Sequence, residues 1–132
     1  MILHASSVAW QGRGVLILGP SGSGKSTLAL ELMAHGAVLI ADDRTEVGPD
    51  LTARAPAALA GLIEARGVGL LRADHAPARL VLAVDLGQPE PDRLPQMRHS
   101  LVHDMRLPLV LGQGRGHLAY AILQYLKGGR QA

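Results

Sequence analysis

The sequence predicts an α/β domain in which an apolar strand, a glycine loop and a helix follow one another without interruption. Three observations carry that expectation. Val15-Leu16-Ile17-Leu18 is a short continuous apolar run of the kind that forms a buried strand. Gly19-Pro20-Ser21-Gly22-Ser23-Gly24-Lys25-Ser26 follows it directly and fits the pattern of glycine, four residues, glycine, lysine and serine or threonine. Thr27 to Ala34 is made largely of good helix formers, and Gly36 stands where a helix C-cap glycine belongs. Together these predict a helix over Lys25 to His35.

Upstream, Ile2 to Trp10 alternates weakly and meets the turn Gln11-Gly12-Arg13-Gly14, which predicts a hairpin feeding the buried strand. Ala37 to Ala41 reads as a second short strand, ending in Asp42-Asp43-Arg44. Gly48-Pro49-Asp50 marks a turn, and Ala55 to Gly61 is an alanine-rich connection without a defined pattern. Leu62-Ile63-Glu64-Ala65-Arg66 reads as a strand leading into Gly67-Val68-Gly69-Leu70-Leu71. Leu80 to Val84 is the clearest later strand and runs into an exposed loop holding Pro89, Pro91 and Pro95. Leu107 to Leu111 predicts a final strand, Gly112 to Gly116 a turn, and His117 to Lys127 a closing helix.

With 132 residues, one domain over 1–132 is expected, with no internal repeat and no linker long enough to divide it. Hydrophobic content of 48% argues for a folded chain, and the absence of Phe leaves Leu, Val, Ile and Ala to fill its core. No apolar run reaches a membrane span of roughly 18 residues, and the N-terminus lacks a signal-peptide layout, so a cytoplasmic protein is expected. The lack of cysteine excludes disulfides, thiolate metal sites and cysteine nucleophiles. Net charge is only +2, arginines are scattered and aromatic residues are few, which argues against nucleic-acid binding.

The chemistry sits first in the glycine loop. Small residues let the backbone curl until several N–H groups converge on phosphate oxygens, and the helix that starts there adds the positive end of its dipole. Gly19, Ser21, Gly22, Ser23, Gly24 and Thr27 supply that cradle. Lys25 brings a full charge to the β- and γ-phosphates, and the Ser26 hydroxyl is placed to ligate Mg²⁺. Shuffling this composition would give the pattern on the order of 0.002 times per chain, so a chance turn is set aside in favour of ATP with Mg²⁺.

Asp42 and Asp43 end an apolar strand, where phosphoryl transfer needs one carboxylate for the metal and often one for the nucleophile. Alone they would equally make a turn or a helix cap. Adjacent residues at a strand end can diverge in direction, which would let one carboxylate face the metal and its neighbour the acceptor. Glu64 and Arg66 alternate on their strand and point to one face, either an active-site wall or a solvated edge. His99 and His103 have a spacing that could hold a metal on a helix, but no further ligand pattern accompanies them and they are taken as surface residues.

These pieces together resemble one family, the catalytic domain of bacterial HPr kinase/phosphorylase, the P-loop serine kinase of the phosphotransferase system. The resemblance lies in His4, Gly19 to Thr27, Ala41-Asp42-Asp43 and Glu64-Ala65-Arg66-Gly67-Val68-Gly69, with weaker similarity at Asp92-Arg93-Leu94 and Gly114-Arg115. It implies an α/β P-loop kinase core of the HPr kinase and phosphoenolpyruvate carboxykinase-like type. It further implies ATP-dependent phosphorylation of a serine on HPr or an HPr-like phosphocarrier, with phosphorolysis as the reverse, and assembly into a homo-oligomer. Carried over, Asp43 resembles the base that accepts the serine proton, and Asp42 and Glu64 help Ser26 hold Mg²⁺. His4 supports the aspartates from a neighbouring strand, and Arg66 and Arg93 stabilise phosphate charge.

The chain departs from the family in three places. It starts almost at the catalytic domain, as a short form without the family's N-terminal domain would. Pro20 stands where an acidic residue is common, and Gly116-His117-Leu118-Ala119 replaces the usual continuation after Gly-Arg. Two other readings remain open from the residues: a P-loop kinase of a small-molecule hydroxyl, and a non-catalytic ATP-sensing module. The Asp pair counts against the last, since a sensor needs no base.

Overall fold

A computed structural model describes residues 1–132. In chain order the elements are β1 (Ile2–Leu3), β2 (Ser6–Trp10), β3 (Arg13–Leu18), α1 (Lys25–Ala34), β4 (Val38–Ala41), β5 (Thr45–Val47) and β6 (Thr52–Arg54). A short 3₁₀ turn at Ala57–Leu59 precedes β7 (Leu62–Ala65) and β8 (Gly69–Arg72). Then come β9 (Ala78–Asp85), β10 (Arg98–Val102), β11 (Met105–Leu111) and α2 (Leu118–Gly128).

The expected hairpin forms between β2 and β3 across Gln11-Gly12, whose φ angles of 47° and 78° are the two positive values a type I′ turn demands. The preceding stretch is not one strand, however. β1 stops at Leu3 and pairs with β5, while β2 lies between β3 and β4. His4 occupies the bend between them.

α1 ends as the sequence predicts. Gly36, at φ 105°, donates its N–H to the Met33 carbonyl, and Ala37 donates to Leu32, the paired bonds of a Schellman cap. The strand expected at Leu80–Val84 is longer, Ala78–Asp85, and becomes the centre of the fold. β9 pairs in parallel with β3 along its length. Its other edge is divided: the first residues pair antiparallel with β6 and the last pair in parallel with β11. A register shift opposite Gly14 bulges β9, and a Cβ at Gly14 would lie 2.8 Å from the Arg79 carbonyl oxygen, so a glycine is needed there.

This sheet holds nine strands, and β7 and β8 form a separate two-stranded hairpin. The core lies on both sheet faces. On one, Val15, Ile17, Leu82 and Val84 meet Leu28 and Leu32 of α1 and Ile122 and Leu126 of α2. On the other, Leu16, Ile40 and Ala83 pack with Val47, Leu51, Val102 and Leu107, where the outer strands curl over the sheet. Both clusters consist of Leu, Val, Ile and Ala alone, as the composition requires. The carboxyl ends of the parallel strands, Leu18, Asp85 and Leu111, lie side by side in register. The glycine loop leaves β3 at that edge, where open α/β sheets place their ligands.

Candidate active site

The glycine loop turns on residues that only glycine can supply. Gly24 caps α1 at φ 100°, and a Cβ at Gly19 would lie 2.4 Å from Ser23 Oγ. Ser23 donates its N–H to the Pro20 carbonyl at 3.1 Å, closing the curl. Lys25 is buried, and its Nζ reaches back to the carbonyls of Gly19 and Pro20 at 2.8 and 3.1 Å. Ser23 Oγ is buried without any partner, an orphaned polar atom in a loop whose residue types suit phosphate oxygens.

Beside the loop opens a cleft of about 340 Å³. It gathers elements far apart in the chain: His4, Lys25 and Ser26, the Asp42–Asp43 pair, and Glu64 and Arg66 from the β7–β8 hairpin. The aspartates diverge as their place at the end of β4 suggests. Asp42 is buried and Asp43 exposed. Asp42 Oδ1 accepts the hydroxyls of Ser26 and Ser6, each at 2.7 Å, and Oδ2 accepts the Glu64 N–H at 3.0 Å. Asp43 sits in the left-handed region at φ 65°, and its Oδ1 lies 2.6 Å from His4 Nε2. Aspartate is among the few non-glycine residues that visit this region.

Glu64 lies on β7, and Arg66 opens the turn just beyond that strand. Both side chains are exposed on the cleft. No three His, Cys, Asp or Glu side chains cluster tightly enough to hold a metal by themselves. Ser26 and Asp42 instead offer hard oxygen donors at the edge of the glycine loop, a donor set of the kind that suits Mg²⁺.

The structure does not bring every expected residue to this cleft. Gly19 lies at the base of the loop, outside the cleft lining, and Arg93 is exposed in the proline-rich connection between β9 and β10, also outside it. His99 and His103 lie on no helix: His99 is in β10 and His103 in the turn after it, where Nε2 meets the Val47 carbonyl at 2.7 Å. Ser6 carries no motif and goes unnoticed in the sequence; only the pairing of β2 with β4 reveals it.

A second pocket, of about 360 Å³, lies across the loop, between α1 and the start of α2. Ser23, Glu31, Leu86, Gly112, Arg115 and Ala119 contribute to its wall. Gly24 and Thr27 line both pockets, so the N-terminus of α1 separates them.

The HPr serine kinase C-terminal domain family matches residues 1–76, the stretch that carries the loop, the Asp pair and Glu64. The chain belongs to that family. Among relatives, HPr kinase/phosphorylase of Aromatoleum aromaticum is 42% identical over 115 residues, covering 74% of this chain and 37% of that protein. HPr kinase/phosphorylase of Cupriavidus necator is 52% identical over 73 residues, covering 52% of this chain and 23% of its own. The chain thus spans well under half the length of these relatives. The fold agrees over nearly its whole extent with the HPr(Ser) kinase/phosphatase from Coxiella burnetii, at a TM-score of 0.80 and 22% identity, covering 96% and 94% of the two chains. That agreement extends past residue 76, where the family match ends.

Proposed function

We propose that the chain is a Mg²⁺- and ATP-dependent protein serine kinase acting on HPr or an HPr-like phosphocarrier, with phosphorolysis of the phosphoserine as its reverse activity. One observation carries the reading: a phosphate-binding loop and a His4-paired carboxylate, Asp43, face each other across one cleft. The acceptor named in this reading comes from family membership. In the forward direction the γ-phosphate rests on the loop amides and Lys25, and Asp43 takes the proton of the attacking serine hydroxyl. His4, at 2.6 Å, orients Asp43. In reverse, the protonated Asp43 returns that proton to the leaving serine oxygen as inorganic phosphate attacks. Arg66 faces the charge that builds on the transferring group.

Ser26, Asp42 and Glu64 would hold Mg²⁺, which when bound would supply positive charge to neutralise the phosphates. The nucleoside lies in the second pocket, on the far side of the loop from Asp43. Donor and acceptor then approach the γ-phosphate from opposite sides, as in-line transfer requires. The protein acts in the cytoplasm, with residues 1–132 as a single catalytic domain.

The test is incubation with γ-labelled ATP, Mg²⁺ and an HPr carrier, followed by a chase with inorganic phosphate. Label on a carrier serine that the chase releases as pyrophosphate supports both directions. Transfer to a small hydroxylated metabolite with no carrier present would replace the acceptor assignment.

A further inference from the structure

We propose that Ser6 is a positioning residue for phosphoryl transfer, its hydroxyl fixing the Asp42 carboxylate and the Asp42–Asp43 peptide in one relation. The inference rests on the reading that these aspartates act in transfer. Ser6 is fully buried on β2, at 0% exposure. A hydroxyl in such a place is costly unless it is bonded. Its neighbour Ser7 pairs with Ala41, the last residue of β4, so β2 delivers Ser6 to the point where the two aspartates emerge.

The bonds of Ser6 have a fixed direction. Its Oγ donates to Asp42 Oδ1 at 2.7 Å and receives the Asp43 N–H at 3.4 Å. Asp42 is thereby held by three donors from three elements: Ser6 on β2, Ser26 on α1 and the Glu64 amide on β7. The terminal torsion of an aspartate is broad and roughly two-fold, so the carboxylate needs such donors to keep one orientation. Without Ser6, Oδ1 answers to Ser26 alone, and the Asp43 N–H loses its acceptor just where Asp43 is held at φ 65°. One hydroxyl therefore serves both the metal-side carboxylate and the acceptor-side carboxylate, though it touches neither substrate.

The test compares Ser6→Ala with the isosteric pair Ser6→Thr and Ser6→Val. Ser6→Ala should lower kcat by about tenfold or more, as loss of a hydrogen bond to a charged group does, with KM for ATP unchanged within about twofold. Mn²⁺ binding in the presence of a non-hydrolysable ATP analogue, followed by electron paramagnetic resonance, should weaken in the same variant. Ser6→Thr should restore both readouts and Ser6→Val neither. Wild-type kcat and Mn²⁺ affinity in Ser6→Ala would overturn the proposal, as would a lowered Tm with both unchanged, which marks a purely structural serine. If Ser6→Ala does not fold, Ser6→Cys, close in volume and a weak donor, makes the same comparison. If the wild-type chain transfers no phosphate, the kinase reading fails by itself and the Mn²⁺ titration still decides Ser6.

Discussion

Asp43→Asn separates chemistry from architecture. The change swaps one carboxylate oxygen for an amide and keeps the side chain's shape. Asp43 is 62% exposed, so no desolvated network depends on its charge, and its one side-chain partner is His4 Nε2 at 2.6 Å. Asparagine is also among the residues that tolerate the φ of 65° found here. Stability should therefore stay within about 0.5 kcal/mol of wild type, as for an ordinary surface substitution. The reaction should not be spared. Proton acceptance by a positioned side chain contributes roughly 10²–10⁴-fold in rate, which is about 3–5 kcal/mol of barrier. Initial rates of labelled phosphate transfer to the carrier should fall by at least about 100-fold. KM for ATP should hold within about twofold, because the proposed donor contacts run through Lys25 and Ser26 and leave Asp43 out. Transfer within about tenfold of wild type would refute Asp43 as the base, and a Tm loss above about 5 °C would assign it a structural role instead.

Other expectations follow from particular contacts. A Cβ at Gly116 meets no atom within 4 Å, and Gly116 lines the second pocket, so Gly116→Trp starts a bulky side chain from that wall. It should raise KM for ATP by about tenfold while inorganic tripolyphosphate binds as before, and equal losses for both ligands would place the nucleoside elsewhere. His103 and Asp104 form the two-residue turn of the β10–β11 hairpin with φ of 49° and 59°. Asp104→Gly should stabilise by roughly 0.5–1 kcal/mol, read as a Tm gain of about 2–5 °C. The Arg98 guanidinium, forked onto Glu90 at 2.8 and 3.0 Å, holds that carboxyl below its ordinary value of 4.5. A lowered folded pKa gives stability that is complete above pH 4.5 and is lost as the pH falls from there through the folded value. The Tm gap between wild type and Glu90→Gln should narrow in that window, and a constant gap would contradict it.

The parallel centre was readable because its signals are local. Val15–Leu18 and Leu80–Val84 are continuous apolar runs, and α1 has both its glycine loop and its Gly36 cap. The outer strands were not. β5 is Thr-Glu-Val and β6 Thr-Ala-Arg, three residues each with no apolar run, and they are strands only because β1 and β9 pair with them. β10 hides behind the proline-rich loop and exists through its pairing with β11. The site divides likewise. His4, Lys25, Ser26, Asp42, Asp43 and Glu64 belong to recognisable segments and converge on the cleft. Ser6 is an unremarkable serine until β2 and β4 are paired, and the second pocket joins residues from both ends of the chain.

The divided edge of β9 has a consequence for how the molecule opens. Its first residues carry the arm of β6, β5 and β1, and its last carry β11 and β10, while β3 runs along the opposite edge. Either arm can fray in a local opening without unzipping β9 from β3. Leu18 and Asp85, which set the base of the glycine loop, stay in register through such events. Amide exchange should accordingly be slowest along β3 and β9 and faster in both arms. On that expectation the loop is anchored to the slowest-exchanging strands, and fraying of either arm leaves its base in place.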